Sequence, residues 1–292
     1  MLDVNCVAPT GCLLGQEPVW SASEGFLWWV DRERAKLHRF NPKTGNTRRY
    51  DLPVHASAIV MQKGRLVMIG DLEIGYFDPE TEAYDRFLLL PEEPVGNRTQ
   101  YAGVAPDGSL WFGTMDKAET RPQGSYYRLV QGDRPDRLAI PFMVAAGPVV
   151  FAPDRKTFYT CDPAEQEILA FDYNAETGAL TNRRLFASTF EGGSYPAGLA
   201  TDREGHVWNA EWAGSRLVRY SPEGAITATV DLPISRPTGL AFGGADLKTL
   251  FVTSARLGLT DQSLDRQPMA GCLFALEVQT PGLPLNDWGE TG

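Results

Sequence analysis

Short apolar runs alternate with polar turn clusters along the whole chain, and the runs recur. Phe26–Asp31, "FLWWVD", has counterparts in Arg65–Asp71, Ser109–Asp116, Thr157–Asp162, His206–Trp212 and Thr249–Ala255. Their starts lie 39, 44, 48, 49 and 43 residues apart. Each run is preceded by a small-residue strand and a tight turn rich in Gly, Asp and Pro, such as Pro106-Asp107-Gly108 and Glu204-Gly205, residues that accept hairpin dihedrals. Third strands follow at Lys36–Phe40, Ile74–Phe77, Ser125–Leu129, Ile168–Phe171, Arg216–Tyr220 and Cys272–Leu276. A period of roughly 40–50 residues with several short strands in each repeat is the mark of an all-β propeller, here of six blades, or of another repeat array.

Outer strands are predicted at Thr47–Leu52, Tyr84–Leu88, Asp136–Ile140, Arg183–Phe186 and Ile226–Leu232, one too few for six blades. After Leu276 the chain runs into "TPGLPLNDWGETG", poor strand material. The missing strand is assigned to the N-terminus: Asp3–Val7 pairs with Gly271–Leu276, closing the ring and covering two sheet edges. Residues 1–292 then form a single domain, because each blade adds its own core layer.

In a propeller the first strand of each repeat lies innermost. These are Gly15–Trp20, His55–Val60, Gln100–Ala105, Ala146–Phe151, Tyr195–Ala200 and Arg236–Ala241. Small residues suit the narrow centre. Against them stand the large polar residues Gln16, Glu17, His55, Arg98, Gln100, Tyr101, Tyr195 and Arg236. Acid, base and guanidinium gathered at one concave mouth make a small-molecule site; taken singly, the same residues solvate a channel or cap strands.

Charge and cysteine content narrow the classes. With 27 basic and 37 acidic residues the net charge is −10, and no basic cluster offers a phosphate-binding surface. The N-terminus has neither a basic start nor a long apolar run, so no membrane association is expected and a cytoplasmic location is. Cys6, Cys12, Cys161 and Cys272 form no CxxC pair and are expected to be reduced thiols; a disulfide from Cys6 or Cys12 to Cys272 is geometrically conceivable where the chain ends meet. G-x-S-x-G, H-E-x-x-H, P-loop and G-x-G-x-x-G motifs are missing, which removes the sequence case for serine-triad hydrolysis, zinc proteolysis and nucleotide binding.

Four stretches carry a resemblance: "LGQEPVW" (Leu14–Trp20), "NRTQYAGVAPDGSLWFGTM" (Asn97–Met115), "YPAGLATDREGHVWNAEWAGSRLVRYSPEG" (Tyr195–Gly224) and "FGGADLKTLFVTSARLGL" (Phe242–Leu259). The chain resembles the SMP-30/gluconolactonase (regucalcin-like) propellers over nearly its whole length, with the last two stretches closest to bacterial sugar-acid lactonases. The resemblance implies a divalent metal held by a Glu, an Asn and an Asp from three inner strands. At those positions this chain has Gln16, then Gly147 (Ala146 with a one-residue shift), then Ala197. The substrate-binding pattern RxND reads Arg98-Thr99-Gln100-Tyr101, so the Arg alone is kept.

These substitutions set the expectations. A hard cation wants several oxygen ligands, charged ones among them, and Gln16 offers one neutral carbonyl, so no cofactor is expected. The alternative is a weakly held divalent cation (calcium, zinc, manganese, magnesium or iron) on Glu17, Gln16 and Gln100. The leading reading is a lactonase-like hydrolase on a small cyclic ester or sugar-derived lactone. The alternatives are a metal-independent acid/base enzyme of another class (isomerase, lyase or cyclase) and a ligand-binding pseudoenzyme. Glu17 and Tyr101 are the candidate catalytic residues, as general acid or base and as oxyanion donor; a surface carboxylate and a volume filler are the bland readings. Gln16, Arg98, Gln100, His55, Tyr195 and Trp212 are the candidate ligand contacts. The expected partner is a small molecule, with no nucleic acid and no membrane, the chain itself a monomer or weak dimer.

Overall fold

The computed structural model describes residues 2–90 and 93–290. Six four-stranded antiparallel sheets succeed one another along the chain. The inner strands are Gly15–Ser21, Ala58–Gln62, Asn97–Val104, Val150–Phe151, Tyr195–Thr201 and Pro237–Gly243, in blades 1 to 6. Blade 6 takes its outermost strand, Asn5–Ala8, from the N-terminus, which pairs antiparallel with Leu273–Glu277 in the register Asn5↔Ala275 and Cys6↔Phe274. The expected closure is therefore present, shifted by a residue or two.

The run Phe26–Asp31 explains why the repeats read as continuous apolar segments. Alternate residues of a strand face opposite sides, and both sides of this one are covered. Trp28 and Val30 enter a cluster shared with blade 2; Leu27 and Trp29 enter one shared with blade 6. The same arrangement recurs around the ring, giving six clusters, each built from two neighbouring blades. Burying an aromatic or aliphatic side chain of this kind contributes about 1.5–3 kcal/mol, so the blades adhere through their flat faces.

Three details depart from the periodic expectation. In blade 4 only Val150–Phe151 forms inner strand, because Gly147-Pro148 interrupts the ladder: proline has no amide hydrogen to give. A short helix, Asp261–Arg266, capped by Thr260, interrupts blade 6. The segment after Leu276, poor in strand character, is nonetheless ordered against the lower face. Pro281 O accepts from Arg203 N, and the amides of Trp288 and Gly289 donate to Met61 O and Gly108 O. Trp288 is buried between blades 2 and 3. Among the described residues no helix is long and apolar enough to cross a membrane.

Candidate functional site

The upper mouth of the ring opens into a cavity of about 740 Å³. Its floor is built by inner strands that deviate from regular pairing. The ladder shifts between Gln16 and Val19, Thr99 and Ala102, Pro196 and Leu199, and Pro237 and Gly239. Such bulges re-aim side chains at sites. One consequence is that Gln100 and Tyr101, sequence neighbours, both line the cavity.

Cross-blade hydrogen bonds hold the floor. Gln16 Nε2 donates to Ser57 O at 2.6 Å and Ser57 Oγ donates to Thr99 O at 2.8 Å, while Thr238 Oγ1 donates to Gly15 O. Blades 6, 1, 2 and 3 are thus fixed to one another directly beneath the cavity. Arg98 is 9 % exposed. Its Nη1 donates to Thr99 O at 3.1 Å and to Gln100 Oε1, both neutral acceptors. Burial lowers its pKa to about 10, with repulsion from Arg32 adding to the effect, so the guanidinium is still charged at neutral pH. Arg98 and Gln100 share one face, as a two-residue strand spacing requires.

Tyr101 is buried at the foot of the cavity. Burial holds its phenol well above the usual range, with Cys161 and Glu17 adding to the rise and Arg98 opposing it. It therefore keeps its proton and can act as a donor. Glu17 lies elsewhere. It has left-handed backbone, φ 48°, and lines a second, mostly apolar cavity of about 320 Å³ below Tyr101. Its Oε2 accepts from Ala102 N at 3.3 Å, and burial pushes the carboxyl up to about 8. The C-terminal residues Leu283–Asn286 line this lower cavity. Of the two candidate catalytic residues, then, only Tyr101 lines the upper cavity.

His55, Tyr195 and Trp212 line the upper cavity with Gln16, Arg98 and Gln100. His55 is exposed, its Nδ1 2.9 Å from Arg32 O. Tyr195 is exposed and Trp212 half-buried, with Arg236 4.9 Å over the Trp212 ring. The lining also includes Arg32, Glu33, Asp71, Lys117 and Glu119, which the sequence reading did not single out. Arg32 is buried and binds Asp71 Oδ1 at 2.7 Å and Glu33 Oε1 at 2.6 Å; Lys117 reaches Asp71 Oδ2 at 3.1 Å. A signal for them was available: Arg32, Asp71 and Lys117 each come directly after a second strand, Phe26–Asp31, Arg65–Gly70 and Leu110–Asp116, and the ends of these strands form the upper lip.

The positions assigned by resemblance to the metal offer few oxygens. Gln16 and Ala197 line the cavity. Gly147 is not a position from which any side chain could reach in: a Cβ there would stand 2.4 Å from Cys161 O. Of the two registers given for the Asn position this leaves Ala146, which is fully buried and has a methyl group alone. One amide oxygen, Gln16 Oε1, remains, and this set does not fit a divalent cation. Among the described residues one buried group, Cys12, Asp31 and His38, has metal-ligand chemistry at mutual distances within 4.8 Å. It lies between blades 1 and 6, away from the cavity, and its parts are already committed. Asp31 accepts from Leu13 N and Leu14 N, and His38 stacks on Trp29.

Comparison with known proteins agrees with this architecture. Residues 14–256 match the SMP-30/Gluconolactonase/LRE-like region. The chain is 32% identical over 281 residues to a 6-deoxy-6-sulfogluconolactonase of Pseudomonas putida, covering 96% of each chain. It is 32% identical over 286 residues to an L-arabinolactonase of Azospirillum brasilense, covering 96% of this chain and 94% of that one. Among solved structures, a calcium-binding regucalcin from Agrobacterium tumefaciens superimposes with a TM-score of 0.92 at 27% identity, covering 98% of this chain and 97% of that one.

Proposed function

Because the chain belongs to the SMP-30/gluconolactonase family, we propose that it is a lactonase-like hydrolase acting on a small cyclic ester or sugar-derived lactone, in a pocket that works without the family's divalent cation. The observation that carries this reading is Arg98. It is a buried, charged guanidinium beside the 740 Å³ cavity, and its hydrogen-bonding partners are a backbone carbonyl and the Gln100 amide.

The chemistry follows from the floor. When water adds to a lactone carbonyl, negative charge develops on oxygen. Arg98 supplies paired N–H donors to that oxygen, and protonated Tyr101 supplies an O–H. Gln100 holds the guanidinium plane, and Gln16, tethered to Ser57, presents its carbonyl to a sugar hydroxyl. Trp212 and Tyr195 offer apolar faces to the ring. Glu17, which holds its proton to about pH 8, lines the lower cavity and accepts from Ala102 N, and it is given no contact with the ligand.

A second reading has its own support. Of the carboxylates lining the cavity, Asp71 and Glu33 are paired with Arg32 and Glu119 stands at the lip, while the inner-strand Glu17 lines the lower cavity, so among the described residues no inner-strand carboxylate faces the upper cavity as a general base. This favours a protein that binds lactones or sugar acids without turning them over. Proton release from a panel of sugar lactones, measured beside calorimetric binding of the same compounds, separates the two: ring opening liberates an acid, whereas binding alone gives heat with no sustained proton release.

A further inference from the structure

The lower cavity is walled by the inner strands of all six blades and by Leu283–Asn286 of the tail. Most of its lining is aliphatic, aromatic or proline, and the polar side chains are Glu17, Arg155, Thr201 and Asn286. Thr201 Oγ1 donates to Phe151 O at 2.8 Å and Asn286 Nδ2 to Ala105 O at 3.5 Å; Arg155 is exposed. Among the described residues Glu17 has one hydrogen bond, the long one from Ala102 N to Oε2 at 3.3 Å, and no ion pair. A carboxyl set in an apolar chamber costs free energy until a partner completes it. Backbone strain holds this one there: Glu17 is the one inner-strand position among the described residues with a left-handed non-glycine backbone, φ 48°, an outlier of the kind that marks ligand clamps. Blade 6 makes room for it, since a Cβ at Gly239 would stand 2.6 Å from Pro18 Cδ and 3.1 Å from Glu17 N.

We propose that the lower cavity is a binding site for a small apolar monoamine, held as its ammonium by the Glu17 carboxylate with its hydrocarbon body against the inner strands. A volume of about 320 Å³ is at the small end of ligand pockets and suits one short chain or a single ring. An ammonium supplies the counter-charge that the walls lack, through charge-assisted hydrogen bonds, and the net charge of −10 favours cations. An alcohol brings a donor without charge, and a carboxylate meets a like charge. The site is separate from the upper cavity and does not depend on lactone chemistry. Binding carries a proton signature. Burial keeps Glu17 protonated to about pH 8, while an alkylamine, like a lysine side chain, stays charged to about pH 10. Below pH 8 the carboxyl gives up its proton as the pair forms, so one proton is released per ligand and affinity rises about tenfold per pH unit; above pH 8 the release fades and affinity levels. Tyr101 and Cys161, held by burial well above their usual ranges, stay neutral throughout.

The test titrates the whole protein with n-hexylamine, 1-hexanol and hexanoate by calorimetry between about pH 6 and 9, in buffers of different ionisation enthalpy, and locates hexylamine in a crystal of the complex. The expected result is hexylamine binding tighter than hexanol by about tenfold or more above pH 8, with no binding of hexanoate. A proton is released on the acid side of pH 8, and the amine nitrogen lies within hydrogen-bonding distance of Glu17. Glu17→Gln, which keeps the shape of the side chain and whose folding is checked by melting, brings hexylamine down to the level of hexanol and abolishes the proton release. Hexanol binding as tightly as hexylamine, a preference for hexanoate, hexylamine seated in the upper cavity, no hexylamine binding at any of these pH values, or undiminished binding in folded Glu17→Gln would each overturn the proposal.

Discussion

Glu17 Oε2 accepts a hydrogen bond from Ala102 N at 3.3 Å, joining the inner strands of blades 1 and 3 across the channel. The neighbouring Gln16 turns to the upper cavity and bonds Ser57. The ladder shift after Gln16 and the left-handed backbone of Glu17 are what allow adjacent residues to serve two cavities.

That placement gives a pH signature. The Glu17 carboxyl is pushed from 4.5 to about 8 by burial. Below pH 4.5 the folded and unfolded chains are both protonated there, and the group costs nothing. Between pH 4.5 and 8 the unfolded chain ionises while the folded one holds its proton, so stability falls as pH rises, by up to about 1.4 kcal/mol per unit. Above pH 8 the cost is constant. Glu17→Gln keeps an acceptor for Ala102 and removes the titration. The variant is expected to match the parent near pH 4 and to exceed it above pH 8 by several kcal/mol, with about 5 kcal/mol as the upper bound set by the full shift. Urea unfolding at a series of pH values measures this; parallel curves would show that Glu17 is solvated.

Arg98 is held by Thr99 O and Gln100. Arg98→Ala is expected to weaken ligand binding or turnover by about 2–4 kcal/mol, the scale of a charged hydrogen bond lost in a partly buried site. Arg98→Lys recovers little, since an ammonium cannot present a planar fork. Gln100→Ala, which frees the guanidinium without removing it, costs less than Arg98→Ala. Calorimetry with a sugar lactone checks the order, and an Arg98→Lys variant equal to the parent would contradict it.

Removing residues 1–8 deletes the outer strand of blade 6 and uncovers the edge of Leu273–Glu277. The expected cost is a few kcal/mol, seen as a fall in melting temperature of several degrees. An unchanged melting curve would mean that the pairing contributes nothing to closure.

The donor inventory predicts a gain of function in metal binding. Gln16→Glu, Ala146→Asn and Ala197→Asp together are expected to create a divalent site where the parent shows none, read by calcium and zinc titration calorimetry. Placing the Asn at 147 instead is expected to unfold or distort blade 4, because a Cβ there would meet Cys161 O at 2.4 Å. Stoichiometric metal in the parent that is lost in Gln16→Ala would refute the inventory.

The fold was legible because alternation and turn chemistry are local. Phe26–Asp31 repeats six times, and two-sided burial between blades demands continuous apolar runs. Arg98 and Gln100 on one face also followed from strand periodicity. Glu17 could not be placed, since whether it faces the lower cavity depends on a ladder shift that leaves no mark in the pattern. Arg32, Asp71 and Lys117 lie outside the inner strands that a propeller pattern marks as its centre, although their position after each second strand follows the same period. The tail after Leu276 lacks strand pattern because Trp288 is held by packing between blades 2 and 3 and by single backbone bonds.

The central claim is that lactone chemistry here depends on Arg98 and on no divalent cation. Its most direct test is the initial rate of ring opening across a panel of aldonolactones, followed by proton release, on protein dialysed against a strong chelator and on the same protein after calcium, zinc or manganese is restored. The account predicts turnover of at least one lactone, unchanged by chelator or added metal and lost in Arg98→Ala. Turnover abolished by the chelator and rescued by a divalent ion, or no turnover of any lactone beside normal binding, would contradict it.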